Sequence, residues 1–161
     1  MKKQKNTLID TLALTFLSFF GTGYSPKAPG TVGSLATIPL ILLLSWLDIS
    51  RLSLIILTFV LTIASCFVAE YIQQKRKVHD PGWIVIDEVI GMLVTWIFVF
   101  PSTQSLDLIL VFGIFRFFDI IKFWPATYFD KKVSHGSGTI LDDVISGVYA
   151  GLAILIVKNF L

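Results

Sequence analysis

The 161-residue chain is 55% hydrophobic and 15% charged, with a mean hydropathy of +0.80 and a formal net charge of +2. A soluble domain of this size is about 45–50% apolar and about 25% charged, so the composition excludes an ordinary soluble core and makes lipid part of the solvent. The small charge gives no sign of a nucleic-acid partner, and the lone cysteine, Cys66, excludes an internal disulfide or a paired-cysteine metal site.

In chain order, Lys2, Lys3 and Lys5 precede an apolar run over 7–20 and imitate a secretory signal. No small-x-small cleavage site follows, and further apolar segments come later, so cleavage is not expected. The run carries Asp10 and falls short of the roughly 20 residues that cross a bilayer, which predicts an interfacial or re-entrant helix. Five later stretches approach or reach spanning length: 31–48, 52–72, 82–100, 106–124 and 139–158. Short connectors at Leu47–Arg51 and Pro101–Ser105 suit helix hairpins. The predicted fold is therefore all-α: one polytopic membrane domain over 1–161, with about five spanning helices and a short N-terminal helix.

Basic residues set the expected orientation. With five spans, Lys2, Lys3, Lys5, Lys27, Lys75, Arg76, Lys77, Lys131 and Lys132 all fall on one side, taken as cytoplasmic. Arg51 lies outside, and Lys158, near the final outer end, is the main exception. A spanning 7–20 segment would put the N-terminal lysines outside, which favours its interfacial placement.

Four polar segments interrupt the apolar pattern: Gly21–Ser34, His79–Met92, Arg116–Asp130 and His135–Gly147. The five-span scheme brings all four to the cytoplasmic face, although hydropathy did not require it. Asp87 and Glu88 are the sharpest signal. They are expected about one and a half turns inside a helix starting near Pro81, a depth at which carboxylates usually face a polar cavity. The plain alternative is a helix end solvated by headgroups. Asp142 and Asp143 are expected in the first turn of the last helix, after a turn containing Gly136 and Gly138. The helix dipole alone would favour one acid there. Asp80 before Pro81 reads as an N-cap, as a catalytic group, or as both, and His79 as a proton donor or an interfacial residue.

Arg116, Asp119 and Lys122 recur at three-residue spacing and share a broad helical face. They make either a modest ion pair or a phosphate site, with Arg116 and Lys122 on phosphate and Asp119 on a metal or on Arg116. Lys122 could instead reach toward the headgroups. The glycine-rich segment is not a Walker loop, but its backbone amides near Thr31–Ser34, with Lys27, could hold an anion at a helix start. A plain re-entrant turn is an equally good reading.

Many carboxylates, two histidines and no useful thiol suit a hard cation such as Mg²⁺ shared with a substrate phosphate. Placement at the membrane face suggests a lipid with a phosphorylated headgroup. A Cys-centred phosphatase loop, a D-x-D nucleophile and the elements of acid-phosphatase-like lipid phosphatases are all missing from the sequence. Attack by a metal-activated water is the first mechanism, and attack by Asp87 or another carboxylate the second.

These motifs resemble the phosphatidylglycerophosphatase A family from about residue 10 to 155. The matching residues are Gly21, Gly23, Ser25-Pro26, Pro29-Gly30-Thr31, Gly33-Ser34, His79-Asp80, Asp87-Glu88, Gly91-Met92, Arg116, Asp119, Lys122, Pro125, Phe129-Asp130, His135-Gly136, Gly138, Asp142-Asp143 and Gly147. The resemblance implies Mg²⁺-dependent removal of the terminal phosphate of phosphatidylglycerophosphate, a membrane lipid substrate, at the cytoplasmic face of a bacterial inner membrane. Metal ligands would come from Asp87, Glu88, Asp142 and Asp143, and catalytic groups from Asp80, Asp87, Glu88, Asp119 and His79. Substrate contacts would come from Arg116, Lys122, Lys27, Ser25, Thr31, Ser34 and His135. Tyr24, Phe123 and Ser146 depart from the family's usual Leu, Pro and Ala, and none of these removes a charged candidate. A small transporter, a phosphatase for another lipid phosphomonoester and a structural subunit are the competing readings. The apolar outer halves disfavour transport.

Overall fold

A computed structural model describes residues 7–160, so Lys2, Lys3 and Lys5 lie outside the described residues. The described chain is helical: α1 (Leu8–Leu17), a 3-10 turn (Thr22–Tyr24), α2 (Pro29–Trp46), α3 (Arg51–Arg76), α4 (Ile86–Val99), α5 (Ser105–Ile121), α6 (Ala126–Lys132) and α7 (Gly136–Lys158). Among the described residues three helices, α2, α3 and α7, are long and apolar enough to cross a membrane. The expected spans at 82–100 and 106–124 are shorter than their apolar runs, because α4 has 14 residues and α5 has 17. At about 1.5 Å per residue both fall short of a hydrocarbon core of about 30 Å.

α1, with 10 residues, is shorter still. It is arranged opposite to a soluble amphipathic helix. Leu8, Ile9 and Leu12 are exposed while Asp10 is buried. Thr7 and Asp10 form a capping box at its start. Asp10 then accepts hydrogen bonds from Lys75 Nζ at 2.6 Å and Tyr71 Oη at 3.0 Å, which tie α1 to the end of α3. The Lys75 bond first, and the Thr7 backbone amide second, hold the Asp10 carboxyl well below the usual carboxylate range. At its other end, Val85 N–H donates to Leu17 O at 2.9 Å.

α4 is the buried centre. Val89, Ile90, Met92, Leu93 and Trp96 are all shielded, with Phe115 from α5 and Ile140, Ala150 and Ile154 from α7 in the same cluster. Glycines set the tightest contact. A Cβ on Gly147 would lie 2.5 Å from Gly91 O, and one on Gly91 would lie 2.9 Å from Asp143 O. One turn on, Gly151 faces the Phe98 ring. Matching residues rise together along both helices, so α4 and α7 run parallel, their backbones touching through small residues.

Helix starts are where the sequence reading needs correction. α4 begins at Ile86, not near Pro81, and Asp87 and Glu88 lie in its first turn. Asp80 does not cap it, since Asp80 sits in the left-handed region at φ +41° and Val85 holds the cap position. α7 begins at Gly136, so Gly136 and Gly138 are helical and Asp142 and Asp143 lie well inside rather than in the first turn. α2 begins at Pro29, ahead of the expected Thr31–Ser34 start. Lys122 lies just past α5, at φ +47°.

Lys158, the main exception to the charge asymmetry, is tied down. Its Nζ donates to buried Asp107 Oδ1 at 2.8 Å, while Ser102 Oγ bonds Asp107 Oδ2. Nearby, Arg51 Nη2 donates to Phe100 O at 2.6 Å and its guanidinium lies over the Phe100 ring.

Candidate active site

The parallel register of α4 and α7 builds the site. Asp87 is one turn before Gly91, and Asp143 one turn before Gly147. Because the two glycines bring the backbones together, the two carboxylates meet at the same end. Asp87, Glu88 and Asp143 each offer one oxygen, and these oxygens lie within 4.8 Å of one another. Asp87 and Asp143 are buried, and Glu88 Oε2 is buried with no hydrogen-bond partner. Three carboxylates at that spacing repel one another unless a cation or protons intervene.

α5 supplies the first cation. Arg116 pairs with Asp119 one turn on, and its Nη1 lies 3.8 Å from Glu88 Oε1. Its Nε is buried and unpartnered. Gly30, at the second position of α2, sits directly against this pair. A Cβ there would overlap Glu88 Oε1 and come within 3.2 Å of Arg116 Nη1. The glycine-rich segment therefore brings a helix start onto the acids, with Pro29 at N1 supplying the preset φ. Gly33 keeps α2 close to the start of α4, since a Cβ there would lie 2.7 Å from Val85 Cβ.

Lys122 is the second cation. Its Nζ bonds Asp142 Oδ2 and lies 3.1 Å from Asp130 Oδ1, while Asp142 Oδ1 is buried and unpartnered. Asp80 faces the same charges. Although Asp80 as a residue is exposed, its carboxyl is crowded by protein atoms, which raises it above the ordinary value against the pull of Lys122. Thr139, which bonds Asp80, also accepts a hydrogen bond from Gln73 Nε2 at 2.9 Å. The start of α7 has no side-chain cap of its own. Glu70 of α3 provides one, accepting from Gly136 N–H at 2.5 Å.

Of the sequence candidates, the structure brings Asp80, Asp87, Glu88, Arg116, Asp119, Lys122, Asp142 and Asp143 to one end of the bundle. Asp142 stands apart from the three-oxygen group, on Lys122. Others are engaged elsewhere or open to solvent. Ser34 is buried and donates to Gly30 O at 2.9 Å, and Ser25 donates to Lys27 O at 3.0 Å. His135 is exposed and lies 3.4 Å from Glu70 Oε1. His79 and Lys27 are exposed, and Thr31 is half-buried. Sequence reasoning did not assign roles to Asp130, Glu70 or Gly30. Asp130 was signalled only as part of a motif, and Glu70 by being a carboxylate near the end of a long apolar run.

The donor set fits a hard divalent cation. All three clustered donors are carboxylate oxygens, and the buried, unpartnered Glu88 Oε2 lacks the hydrogen bond that a shielded carboxylate oxygen normally makes. Fold and site together define a helical membrane protein with a carboxylate-lined, cation-flanked polar site at one end of its bundle. The phosphatidylglycerophosphatase A family model matches residues 15–158, and the chain belongs to that family. It is 34% identical to phosphatidylglycerophosphatase A of Haemophilus influenzae, over 98% of this chain and 95% of the relative. It is 39% identical to phosphatidylglycerophosphatase A of Escherichia coli, over 80% and 73%. A putative phosphatidylinositol-3-phosphatase of Bacteroides thetaiotaomicron is 32% identical over 86% and 89%. No solved structure matches the chain.

Proposed function

We propose that this protein is a lipid phosphatase that removes the terminal phosphate of phosphatidylglycerophosphate, leaving phosphatidylglycerol and inorganic phosphate. The observation that carries the reading is the group of Asp87, Glu88 and Asp143 flanked by Arg116 and Lys122, in a chain of this family. Mg²⁺ held by Asp87, Glu88 and Asp143 would supply positive charge to the phosphoryl oxygens. The chain's own groups do the rest. Arg116 offers its fork to phosphate, with Asp119 fixing the fork's direction. The free amides at the start of α2, Gly30 and Thr31, add anion-binding N–H groups beside it. Lys122 supplies a second positive charge. Asp80, whose crowded carboxyl keeps its proton to higher pH than an ordinary carboxylate, is the group to protonate the departing glycerol oxygen.

In this reading α4 and α5 complete the crossing with their flanking segments, giving five spans and a re-entrant or interfacial α1. The site faces the cytoplasm of a bacterial inner membrane. Exposed Phe20, Tyr24, Trp124 and Tyr128 near the site end suit a headgroup-level aromatic belt. The Bacteroides relative favours a second substrate reading, a phosphoinositide monoester.

Purified protein in mixed micelles, offered each lipid with Mg²⁺ or with EDTA, tests the proposal. Phosphate released from phosphatidylglycerophosphate and stopped by EDTA is the expected result. Faster release from phosphatidylinositol 3-phosphate would replace the substrate, and no release from either lipid would overturn the activity.

A further inference from the structure

α6 is only seven residues long, yet it grips Lys122 at both ends. The Thr127 hydroxyl donates to the Lys122 carbonyl, and Asp130 accepts from Lys122 Nζ at 3.1 Å. Between these two contacts the lysine backbone adopts φ +47°, a left-handed conformation that non-glycine residues keep only where neighbours impose it. The same ammonium bonds Asp142. The two carboxylates differ in setting, because the Asp142 side chain is 4% exposed and the Asp130 side chain 27%. An ammonium has three donors. One goes to Asp142, one to Asp130, and the third is left for an incoming oxygen.

We propose that Asp130 is a positioning residue of the phosphate site. By holding one donor of Lys122 at the surface side, it keeps an ammonium already bonded to buried Asp142 from turning its remaining donors inward as well, where attraction in a low dielectric is stronger. The lysine then stays within reach of a phosphoryl oxygen. This rests on the reading of Lys122 as a phosphate contact.

The test is a double-mutant cycle on the full chain in detergent, using Asp130→Asn, Asp130→Glu, Lys122→Gln and the double variant. Hydrolysis of phosphatidylglycerophosphate is measured together with direct calorimetric titration of inorganic phosphate. With Lys122 present, Asp130→Asn is expected to raise KM about tenfold and weaken inorganic phosphate binding by a similar factor, with kcat within about threefold. Asp130→Glu should restore most of the loss. In the Lys122→Gln background the Asp130→Asn effect should vanish. An equal effect with and without Lys122, or a fall in kcat at constant KM, would overturn the proposal. If the wild type releases no phosphate, the activity reading fails separately. The phosphate titration then decides the positioning role alone, and unchanged affinity in Asp130→Asn rejects it.

Discussion

The two ends of the bundle both carry charge, and they use it in opposite ways. At one end Asp107 is met by Lys158 and Ser102, and Arg51 by the Phe100 carbonyl and ring. Each of these groups has a partner of fitting chemistry. At the other end, acids crowd around Arg116 and Lys122, and Glu88 Oε2, Asp142 Oδ1 and Arg116 Nε are shielded without partners. A closed set of pairs stiffens a structure. A set left open by its own side chains awaits something from outside. The difference marks one end as architecture and the other as the candidate for chemistry within one helical bundle.

Breaking the open end should therefore cost turnover, and breaking the closed end should cost stability. The largest effect is expected from Asp143→Asn, which takes one donor from the three-oxygen group. Phosphate release should fall about a thousandfold while helical circular dichroism is unchanged. Gly30→Ala comes next. Its methyl displaces Glu88 from Arg116, and kcat should fall about ten- to a hundredfold at an unchanged melting temperature. Asp80→Asn is expected to cost about tenfold. Because the Asp80 carboxyl is raised, its acid form is depleted as pH climbs through its folded value, so the wild-type rate should decline on that side. A pH–rate profile in which the variant keeps the same decline would remove Asp80 from the mechanism. Smallest for turnover is Asp107→Asn, with hydrolysis within about twofold but stability lowered by about 1–2 kcal/mol, read as a lower denaturation midpoint. A large loss of activity there would erase the distinction between the ends.

Much of this was legible in the sequence. Apolar runs announced the helices, and acids inside them marked the candidate site, because charge in an apolar run needs a reason to be there. The starts of α3 and α5 fell within a residue of expectation, whereas those of α4 and α7 were not legible, because groups remote in the chain decide them. Asp80-Pro81 has the local chemistry of a helix start, yet the chain continues without helix to Ile86. Gly136 and Gly138 have poor intrinsic helix propensity, but Glu70 caps that start from another helix, and a Cβ on Gly136 would come within 2.7 Å of Cys66 O. The division of Asp142 from Asp143 was equally hidden. Adjacent helical positions point about 100° apart, so one acid reaches α4 and the other Lys122.

The buried carboxylate of α1 also bears on how the molecule is made. Asp10 of α1 is synthesised well before Lys75, its partner, which follows 65 residues later. The carbonyl of Leu17 waits longer still, for the amide of Val85. During translation α1 thus leaves the ribosome with an acid held only by its own Thr7 cap and an apolar face that water does not suit. α1 can reach these contacts only once the end of α3 and the start of α4 have been delivered, so its docking waits for residues made well after it.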